Sequence, residues 1–268
     1  MASHEKSQAR TRDSADGAGC RSGFAMTDAM AFKDADAPRA LATPITELAL
    51  WWCALTAPES RQTTFARWLS PAEQGRMQRF GTDALRVRYL IGRGTLRWLL
   101  GNALGIAPVD VEIVRGVRGR PRLAAFPAID FNVTHTGDRA MIGIAHGTRI
   151  GVDIERGDRR LNDAGVARKF MTAAERASLP ADADTARRQL LQRWTCKEAM
   201  SKATGDALSA PFDRIEVELA PSPRLAAGPP PYTPTDWSLH SIEVPDDHFA
   251  TVALWLRPDA SSGTVTPD

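Results

Sequence analysis

The feature that most constrains the fold is a helix-start signal that occurs twice. The sequences SPAE at residues 70–73 and TAAE at residues 172–175 both fit the capping-box pattern, and they begin 102 residues apart. In such a box the hydroxyl accepts a hydrogen bond from a free N–H of the first helical turn, and the glutamate accepts one from the backbone before it. Each signal therefore predicts that a helix begins there.

Similar segments surround the two signals in the same order. The pattern predicts strands and long helices in both halves: a strand at 49–55, a helix at 83–104 and a strand at 109–114, then a strand at 150–155, a helix at 185–204 and a strand at 214–219. We interpret this order as an internal duplication, although a chance match is the alternative. The predicted fold class is α+β, with two similar α/β halves that each pack a long helix on a mostly antiparallel sheet.

Two further strand pairs complete the predicted sheets. Residues 140–145 and 149–155 flank a turn-like His-Gly-Thr and predict a β-hairpin, and residues 237–244 and 249–256 predict another pair. We expect four regions: a disordered extension at 1–40, a first half at 41–130, a second half at 131–256 with a Pro-rich loop at 221–236, and a flexible tail at 257–268.

Composition excludes several function classes. The net charge is only +2, which gives no general attraction to nucleic acid. The three cysteines show neither metal spacing nor a disulfide framework, so we expect a cytoplasmic protein. The sequence has no apolar run of transmembrane length, and its first 40 residues lack the secretory pattern, so we expect no membrane association.

The strand at 150–155, IGVDIE, alternates strictly between apolar and other residues. Ile150, Val152 and Ile154 point to one face, and Asp153 and Glu155 share the other at a spacing of about 6–7 Å. Two such carboxylates repel each other unless a cation lies between them, and Mg²⁺ prefers one or two carboxylates together with phosphates. The alternative is a solvated strand face.

The segment WTCKEAMSK at 194–202 places Trp194, Glu198 and Lys202 on one helical face. The alternative is an anchoring Trp beside a surface Glu–Lys pair of small energetic value. Only five of the 34 cationic residues are Lys, which favours a function for those that remain.

Two more segments are suited to phosphate. FNVTHTG at 131–137 combines hydroxyls, an imidazole and a glycine turn, and RGVRGRPR at 115–122 holds four arginines. The alternatives are a strand-to-turn junction and an Arg-rich surface that reflects a GC-rich genome.

FNVTHTG, IGVDIE and WTCKEAMSK, in this order, resemble the three signature motifs of the Sfp-type 4′-phosphopantetheinyl transferases, and GRP at 119–121 resembles that family's G-K-P element. The likeness runs from about residue 70 to 202 and continues more weakly to about 256. It implies two pseudo-symmetric α/β halves with coenzyme A between them. It also implies Mg²⁺-dependent transfer of 4′-phosphopantetheine to a carrier-protein serine, with release of 3′,5′-ADP.

The resemblance also implies roles for single residues. Asp153, Glu155 and Glu198 would bind Mg²⁺, and Asp153, Glu198 and Lys202 would be catalytic, with Glu198 as the base for the serine and Lys202 beside the leaving phosphate. Thr134 and His135 would contact the phosphates of coenzyme A.

Three arginines complete the coenzyme A contacts that the resemblance implies. Arg120 stands where the family usually has Lys and would bind the 3′-phosphate region, while Arg76 and Arg88 match positions in or beside the nucleotide pocket. Trp194 would anchor its helix. The partners would be acidic acyl, peptidyl or aryl carrier domains, and the enzyme would be a monomer.

Two other classes use some of the same features. A metal-dependent phosphodiesterase or nucleotidyl transferase would share the carboxylates, but it would need a second metal or another nucleotide motif. A non-enzymatic binder of carrier proteins or nucleic acid would not need the set of three carboxylates.

Overall fold

A computed structural model describes residues 37–116, 118–159 and 164–256. Most of the expected disordered extension, residues 1–36, and the expected tail, residues 257–268, lie outside this range. The extension was predicted too long, because Arg39–Leu41 forms the first strand, β1, which pairs with the strand at 48–54. Main-chain hydrogen bonding to a neighbouring strand and burial of Leu41 in the core order this short segment.

The described chain alternates between strands and helices. The helices are α1 (Glu59–Trp68), α2 (Pro71–Gln78), α3 (Asp83–Leu104), α4 (Ala164–Phe170), α5 (Ala173–Ala177) and α6 (Ala183–Thr204). The remaining strands are β2 (Leu48–Ala54), β3 (Ile113–Arg115), β4 (Pro121–Leu123), β5 (Ile129–Thr136), β6 (Arg139–His146), β7 (Arg149–Arg156), β8 (Glu216–Glu218), β9 (Arg224–Ala227), β10 (Trp237–Ser241) and β11 (His248–Trp255). The α+β class is confirmed.

The main strands form two antiparallel sheets, with orders β1-β2-β6-β5 and β10-β11-β7. Two small ribbons, β3-β4 and β8-β9, follow the two long helices at equivalent places in the order of elements. Because β6 pairs with β2 and with β5, and neither β5 nor β6 pairs with β7, a division of the chain by sheet falls between residues 146 and 149, not at residue 130.

The local helix signals are confirmed. Both capping boxes form, with the Ser70 and Thr172 hydroxyls each accepting a bond from the backbone N–H three residues later. The first long helix occupies 83–104 as predicted, and the second begins two residues earlier than predicted. Both end at a glycine with positive φ, Gly105 and Gly205, because only glycine adopts that conformation without strain.

One prediction about strands is wrong, and two others are right over only part of their length. Residues 140–145 and 149–155 do not form a hairpin, because β6 pairs with β2 and β5. Gly143 shows the reason: a Cβ at this position would lie 2.6 Å from the Ile150 side chain, so β6 and β7 stack face to face. The strands predicted at 109–114 and 214–219 are partly 3-10 helix, and the Pro-rich loop contains β9.

The strand β7 is buried on both faces, by the core between the two sheets on one side and by α6 on the other. Ile150, Val152 and Ile154 lie in a cluster with residues of the first sheet, such as Leu50 and Met141. On the other face α6 comes so close that a Cβ on residue 151 would lie 1.8 Å from the carbonyl oxygen of residue 199. The solvated strand face considered for 150–155 is therefore wrong.

Candidate active site

Three predicted site residues, each from a different element, contact one another. The Lys202 ammonium on α6 lies 2.5 Å from Asp153 Oδ1 on β7 and 3.0 Å from Thr134 Oγ1 on β5. The Thr134 hydroxyl donates to the same Asp153 oxygen at 3.1 Å, and Lys202 also donates to the Val152 carbonyl at 3.2 Å. The strand, the helix and the segment of the FNVTHTG motif therefore converge on one point.

The packing of α6 on β7 produces this convergence. The glycine at 151 lets the helix backbone rest directly on the strand, so the side chains of the last helical turns reach the carboxylates. Glu198 and Lys202 lie one turn apart on the facing side. Lys202 bonds to Asp153 across the two elements, so the surface Glu–Lys pair considered from sequence does not describe this lysine.

The carboxylates of the site are held in a weakly hydrated environment. Asp153 is only 4% exposed, and burial raises its pKa, against the opposing effects of the Lys202 charge and the Lys202 and Thr134 hydrogen bonds. Burial likewise raises the pKa of Glu198, and the negative charge of Asp153 raises it further. Both groups are therefore costly to keep ionised without a nearby cation.

Two buried oxygens of these carboxylates have no hydrogen-bond partner, namely Asp153 Oδ2 and Glu198 Oε1. Carboxylate oxygens are the donors that Mg²⁺ prefers, so Asp153 and Glu198 fit a magnesium ion. In the described part of the chain no three His, Cys, Asp or Glu side chains already stand together as a metal cage. The third predicted ligand, Glu155, is instead paired with Arg159.

Arg159 is a site neighbour that sequence reasoning missed. It follows β7 and pairs with Glu155, and its guanidinium lies 5.0 Å from the ring centroid of Trp194. Trp194 also packs against Phe170, with ring centroids 3.8 Å apart and the ring planes tilted by 34°, which agrees with an anchoring role for this residue. The four-residue spacing from Glu155 to Arg159 was visible in the sequence, but the intervening turn was not.

One predicted phosphate contact, His135, lies close enough to the carboxylates for the charge of Asp153 to act on it. His135 is exposed, but the protein around its ring still lowers its pKa by desolvation, and the positive charges of Lys202 and Arg88 lower it further. Arg88 is therefore close enough to act on the same ring, although it belongs to α3. Arg76 lies 6.0 Å from the ring centroid of Tyr89, the neighbour of Arg88.

Arg120 differs from the other predicted phosphate contacts, because its guanidinium is engaged within the protein. It forms a bidentate pair with Asp130, with N···O distances of 2.6 and 2.8 Å, and both side chains are largely buried. Asp130 was missed from sequence. The available signal was its position just before the FNVTHTG motif, ten residues after Arg120.

Not every lysine of the third motif belongs to the site. Lys197 is fully buried and donates to the Glu175 carboxylate at 2.6 Å and to the carbonyls of Phe170 and Phe212. This lysine ties α6 to the short helix before it, so its role is structural. Lys202 alone among the two reaches the carboxylates of β7.

Comparisons with known proteins agree with the motifs. A family model described as 4′-phosphopantetheinyl transferase superfamily matches residues 149–253, and one described as 4′-phosphopantetheinyl transferase, N-terminal, matches residues 56–146. The two matches meet between β6 and β7, where the chain passes from the first sheet to the second. No described helix has the length and apolarity that a membrane span needs.

Named relatives agree with these matches. The chain is 34% identical to the 4′-phosphopantetheinyl transferase HetI of Nostoc sp. over 78% of its own length and 87% of that protein. It is 28% identical to a 4′-phosphopantetheinyl transferase of Bacillus subtilis over 60% of this chain and 64% of that one. It is 25% identical to the human L-aminoadipate-semialdehyde dehydrogenase-phosphopantetheinyl transferase over 75% of this chain and 71% of that one.

Proposed function

The chain belongs to the 4′-phosphopantetheinyl transferase superfamily, and we propose that residues of β5, β7 and α6 carry its reaction. Such an enzyme takes coenzyme A as substrate and transfers the phosphopantetheine arm to a carrier protein. This membership rules out the phosphodiesterase and pure binding alternatives. The finer proposals concern the metal, the second product, the partners and the role of each residue.

The metal proposal is Mg²⁺ held by Asp153, Glu155 and Glu198. It is supported by the two partnerless buried oxygens and by burial, which makes both Asp153 and Glu198 favour a nearby cation. When bound, Mg²⁺ neutralises charge on the pyrophosphate of coenzyme A. Glu155 would join the ligand set with its carboxylate, of which one oxygen is paired with Arg159, and the Arg159 guanidinium would face the same phosphates.

The proposed chemistry is a direct displacement at the β-phosphorus of coenzyme A. The carrier serine oxygen forms the new P–O bond, and the bond from that phosphorus to the bridging oxygen breaks, which releases 3′,5′-ADP. Glu198 accepts the serine proton, directly or through water, from its position one turn before Lys202 on α6. Lys202 stabilises the negative charge that develops on the leaving phosphate.

The remaining contacts orient the nucleotide. Thr134 and His135 follow one another on β5, so their side chains reach opposite sides of the strand, and the exposed ring of His135 is free to contact a phosphate. Thr134 instead bonds Lys202 and Asp153, and thereby aligns the charged groups as well as any phosphate they bind. Arg88 and Arg76 supply further positive charge from the first half.

Partners, assembly and compartment are proposals of the same kind. We propose acyl, peptidyl or aryl carrier domains as substrates, no nucleic-acid partner, a monomeric enzyme and a cytoplasmic location. A monomer is reasonable because one chain contributes both sheets and both long helices to the site. Recognition of an acidic carrier needs only local positive charge, which agrees with the low net charge of the chain.

The observation that carries the proposal is the meeting of Thr134, Asp153 and Lys202 beside the partnerless oxygen of Glu198. The test incubates the enzyme with coenzyme A and a panel of apo-carrier proteins, with Mg²⁺ or with a chelator. Intact-mass measurement should show phosphopantetheine on a carrier serine, and chromatography should show an equal amount of 3′,5′-ADP, only with Mg²⁺. Modification that persists in chelator would contradict the metal proposal, and no modification of any carrier would contradict the function.

A further inference from the structure

Arg120 connects elements of both halves through one guanidinium group. Its Nε donates to the Lys202 carbonyl at 2.9 Å, and one terminal nitrogen donates to the Ile150 carbonyl at 2.6 Å. Both terminal nitrogens donate to the Asp130 carboxylate. The side chain therefore bonds to the start of β5, the start of β7 and the end of α6 at the same time.

Asp130 extends this connection from the side of β5. One of its oxygens accepts the Ile150 backbone N–H at 2.8 Å, in addition to the bond from Arg120. Two residues further on, the Asn132 side-chain oxygen accepts the Val152 N–H at 3.1 Å. Side chains of β5 and Arg120 thus satisfy the edge of β7 that faces the first sheet, which would otherwise carry unpaired backbone groups.

The three elements joined by Arg120 are the elements that carry the site. Thr134 lies four residues after Asp130 on β5, Asp153 lies three residues after Ile150 on β7, and Lys202 supplies the bonded carbonyl itself. These three site residues contact one another at 2.5–3.1 Å. A small shift between β5, β7 and α6 at Arg120 would therefore change those distances directly.

The bonding of Arg120 leaves no donor for a phosphate. Its Nε has one N–H, and each terminal nitrogen has two, and all are directed at carbonyls or at Asp130, including longer contacts to Pro121 and Phe131. The charge is already balanced by a largely buried bidentate carboxylate. To bind phosphate, Arg120 would have to leave Asp130 buried without its partner, which is costly.

We propose that Arg120 and Asp130 act as a positioning pair that fixes the second half against the first, and that Arg120 does not bind the 3′-phosphate of coenzyme A. The pair holds Asp153 and Lys202 at the distance from Thr134 that the transfer needs. This inference rests on the site proposed above, and Asp130 is the residue that makes this arginine unavailable to the nucleotide.

The test compares Arg120→Lys, Asp130→Asn and the double variant in steady-state transfer, with both coenzyme A and 3′-dephospho-coenzyme A as substrate. Asp130→Asn removes the carboxylate charge but keeps an oxygen that can accept the Ile150 N–H, so it is the milder change for folding. A positioning pair predicts that each single variant lowers kcat by about 10–100-fold, because misplacement by about 1 Å has effects of that size. The double variant should be no worse than either single variant.

The ratio of kcat/KM values for the two substrates distinguishes the two roles of Arg120. For a positioning pair, Arg120→Lys leaves this ratio within about twofold of the wild-type value, because no phosphate contact is lost (a twofold change is below about 0.5 kcal/mol). If Arg120 is a phosphate ligand, Arg120→Lys lowers kcat/KM for coenzyme A relative to that for 3′-dephospho-coenzyme A, mainly through a higher KM for coenzyme A. In that case Asp130→Asn leaves transfer unchanged or improved, because it frees the arginine. Either of these last results overturns the proposal.

A purely structural pair is also distinguishable. It would lower the melting temperature of both variants while kcat of the folded enzyme stays at the wild-type value, which would equally overturn the proposal. The matched control is the exposed pair of Arg224 and Glu218 on the β8-β9 ribbon, where Arg224→Lys and Glu218→Gln should leave kcat unchanged. If wild type and controls transfer but Lys202→Ala does so equally well, the proposed site fails independently of this inference.

Discussion

The two long helices show how one structural arrangement supports different chemistry. Each follows a capping-box helix whose buried glutamate reaches over to it. Glu73 contacts Arg97 at 2.8 Å and Arg93 at 3.1 Å on α3. On α6, Glu175 contacts the two residues that lie one hundred positions after these arginines. Those contacts are Lys197 at 2.6 Å and Arg193 at 4.0 Å.

Several residues beside this shared pair differ in their chemistry. Arg97 is followed by Trp98, which is buried in the hydrophobic cluster between α3 and the first sheet. Lys197 is followed by Glu198, whose carboxylate has an oxygen without a hydrogen-bond partner. Asn102 on α3 corresponds to Lys202 on α6. The strands differ in the same way, because β2 carries no carboxylate where β7 carries the two predicted metal ligands.

The comparison indicates that the buried acid–cation pair belongs to the framework, and we propose that the neighbouring charges belong to the function. A buried charge pair is kept where each partner has further hydrogen bonds, as Lys197 and Arg97 both have with main-chain carbonyls. Among the described residues of these helices and strands, the partnerless carboxylate oxygens lie beside the second pair, where we propose that they supply chemistry at a cost in stability.

The largest expected effect is on transfer activity, and it should differ between equivalent positions of the two long helices. Lys202→Ala should lower kcat/KM for transfer by about 10²–10⁴-fold, the usual range for a positioned proton donor or charged group in catalysis. The matched control is Asn102→Ala, which removes a side chain whose buried amide nitrogen makes no hydrogen bond in the described structure. Steady-state transfer assays check both variants. Similar losses in the two would show that the helices are not functionally different.

The shared framework predicts a loss of stability in both halves. Glu175→Gln should lower the free energy of unfolding by about 3–5 kcal/mol, because it leaves the fully buried Lys197 charge without its partner. Glu73→Gln should act in the same direction but less strongly, since its second partner, Arg93, is partly exposed. Urea unfolding measures both. A near-neutral result for either variant would break the proposed equivalence.

At the proposed site we expect a substitution to raise the free energy of unfolding instead of lowering it. Glu198→Gln should raise the free energy of unfolding of the metal-free enzyme by about 0.5–2 kcal/mol at neutral pH, the range usual when strain at a functional site is relieved. The reason is that burial and the charge of Asp153 disfavour the ionised form of Glu198, and the amide carries no charge. Thermal and urea unfolding in chelator give this value. A clear destabilisation would show that Glu198 stabilises the fold.

The smallest expected effect concerns the two buried thiols, one in each half. Burial raises the pKa of both Cys53 and Cys196 to about 12, so neither should react with an aromatic disulfide reagent at pH 8 in the native protein. A Cys20→Ser background removes the remaining cysteine. Both thiols should become reactive together on unfolding, and earlier reaction of one would show that its half opens separately.

Sequence reasoning succeeded where the determinants are local. The capping boxes and the long helices were predictable because an S/T-x-x-E start and a glycine stop act within a few residues. The site motifs were predictable from resemblance, and the structure brings Thr134, Asp153 and Lys202 together. The roles of these residues stay predictions.

Sequence reasoning failed where a residue or strand contacts another that is distant along the chain. The hairpin at 140–155 was plausible locally, but pairing with β2 about 90 residues earlier along the chain decides the sheet. The Arg120–Asp130 pair was invisible for a related reason, since its meaning depends on backbone carbonyls at 150 and 202. A basic, glycine-rich segment does not show whether its arginines face solvent or the protein itself.

The most direct test of the central claim measures one variant in two ways. Glu198→Gln is mixed with coenzyme A, Mg²⁺ and an apo-carrier, transfer is followed by intact mass, and coenzyme A affinity is measured separately by calorimetry. If the charges beside the second acid–cation pair perform the chemistry, transfer falls by at least about 10²-fold while coenzyme A affinity changes little. Transfer at the wild-type rate would contradict the account.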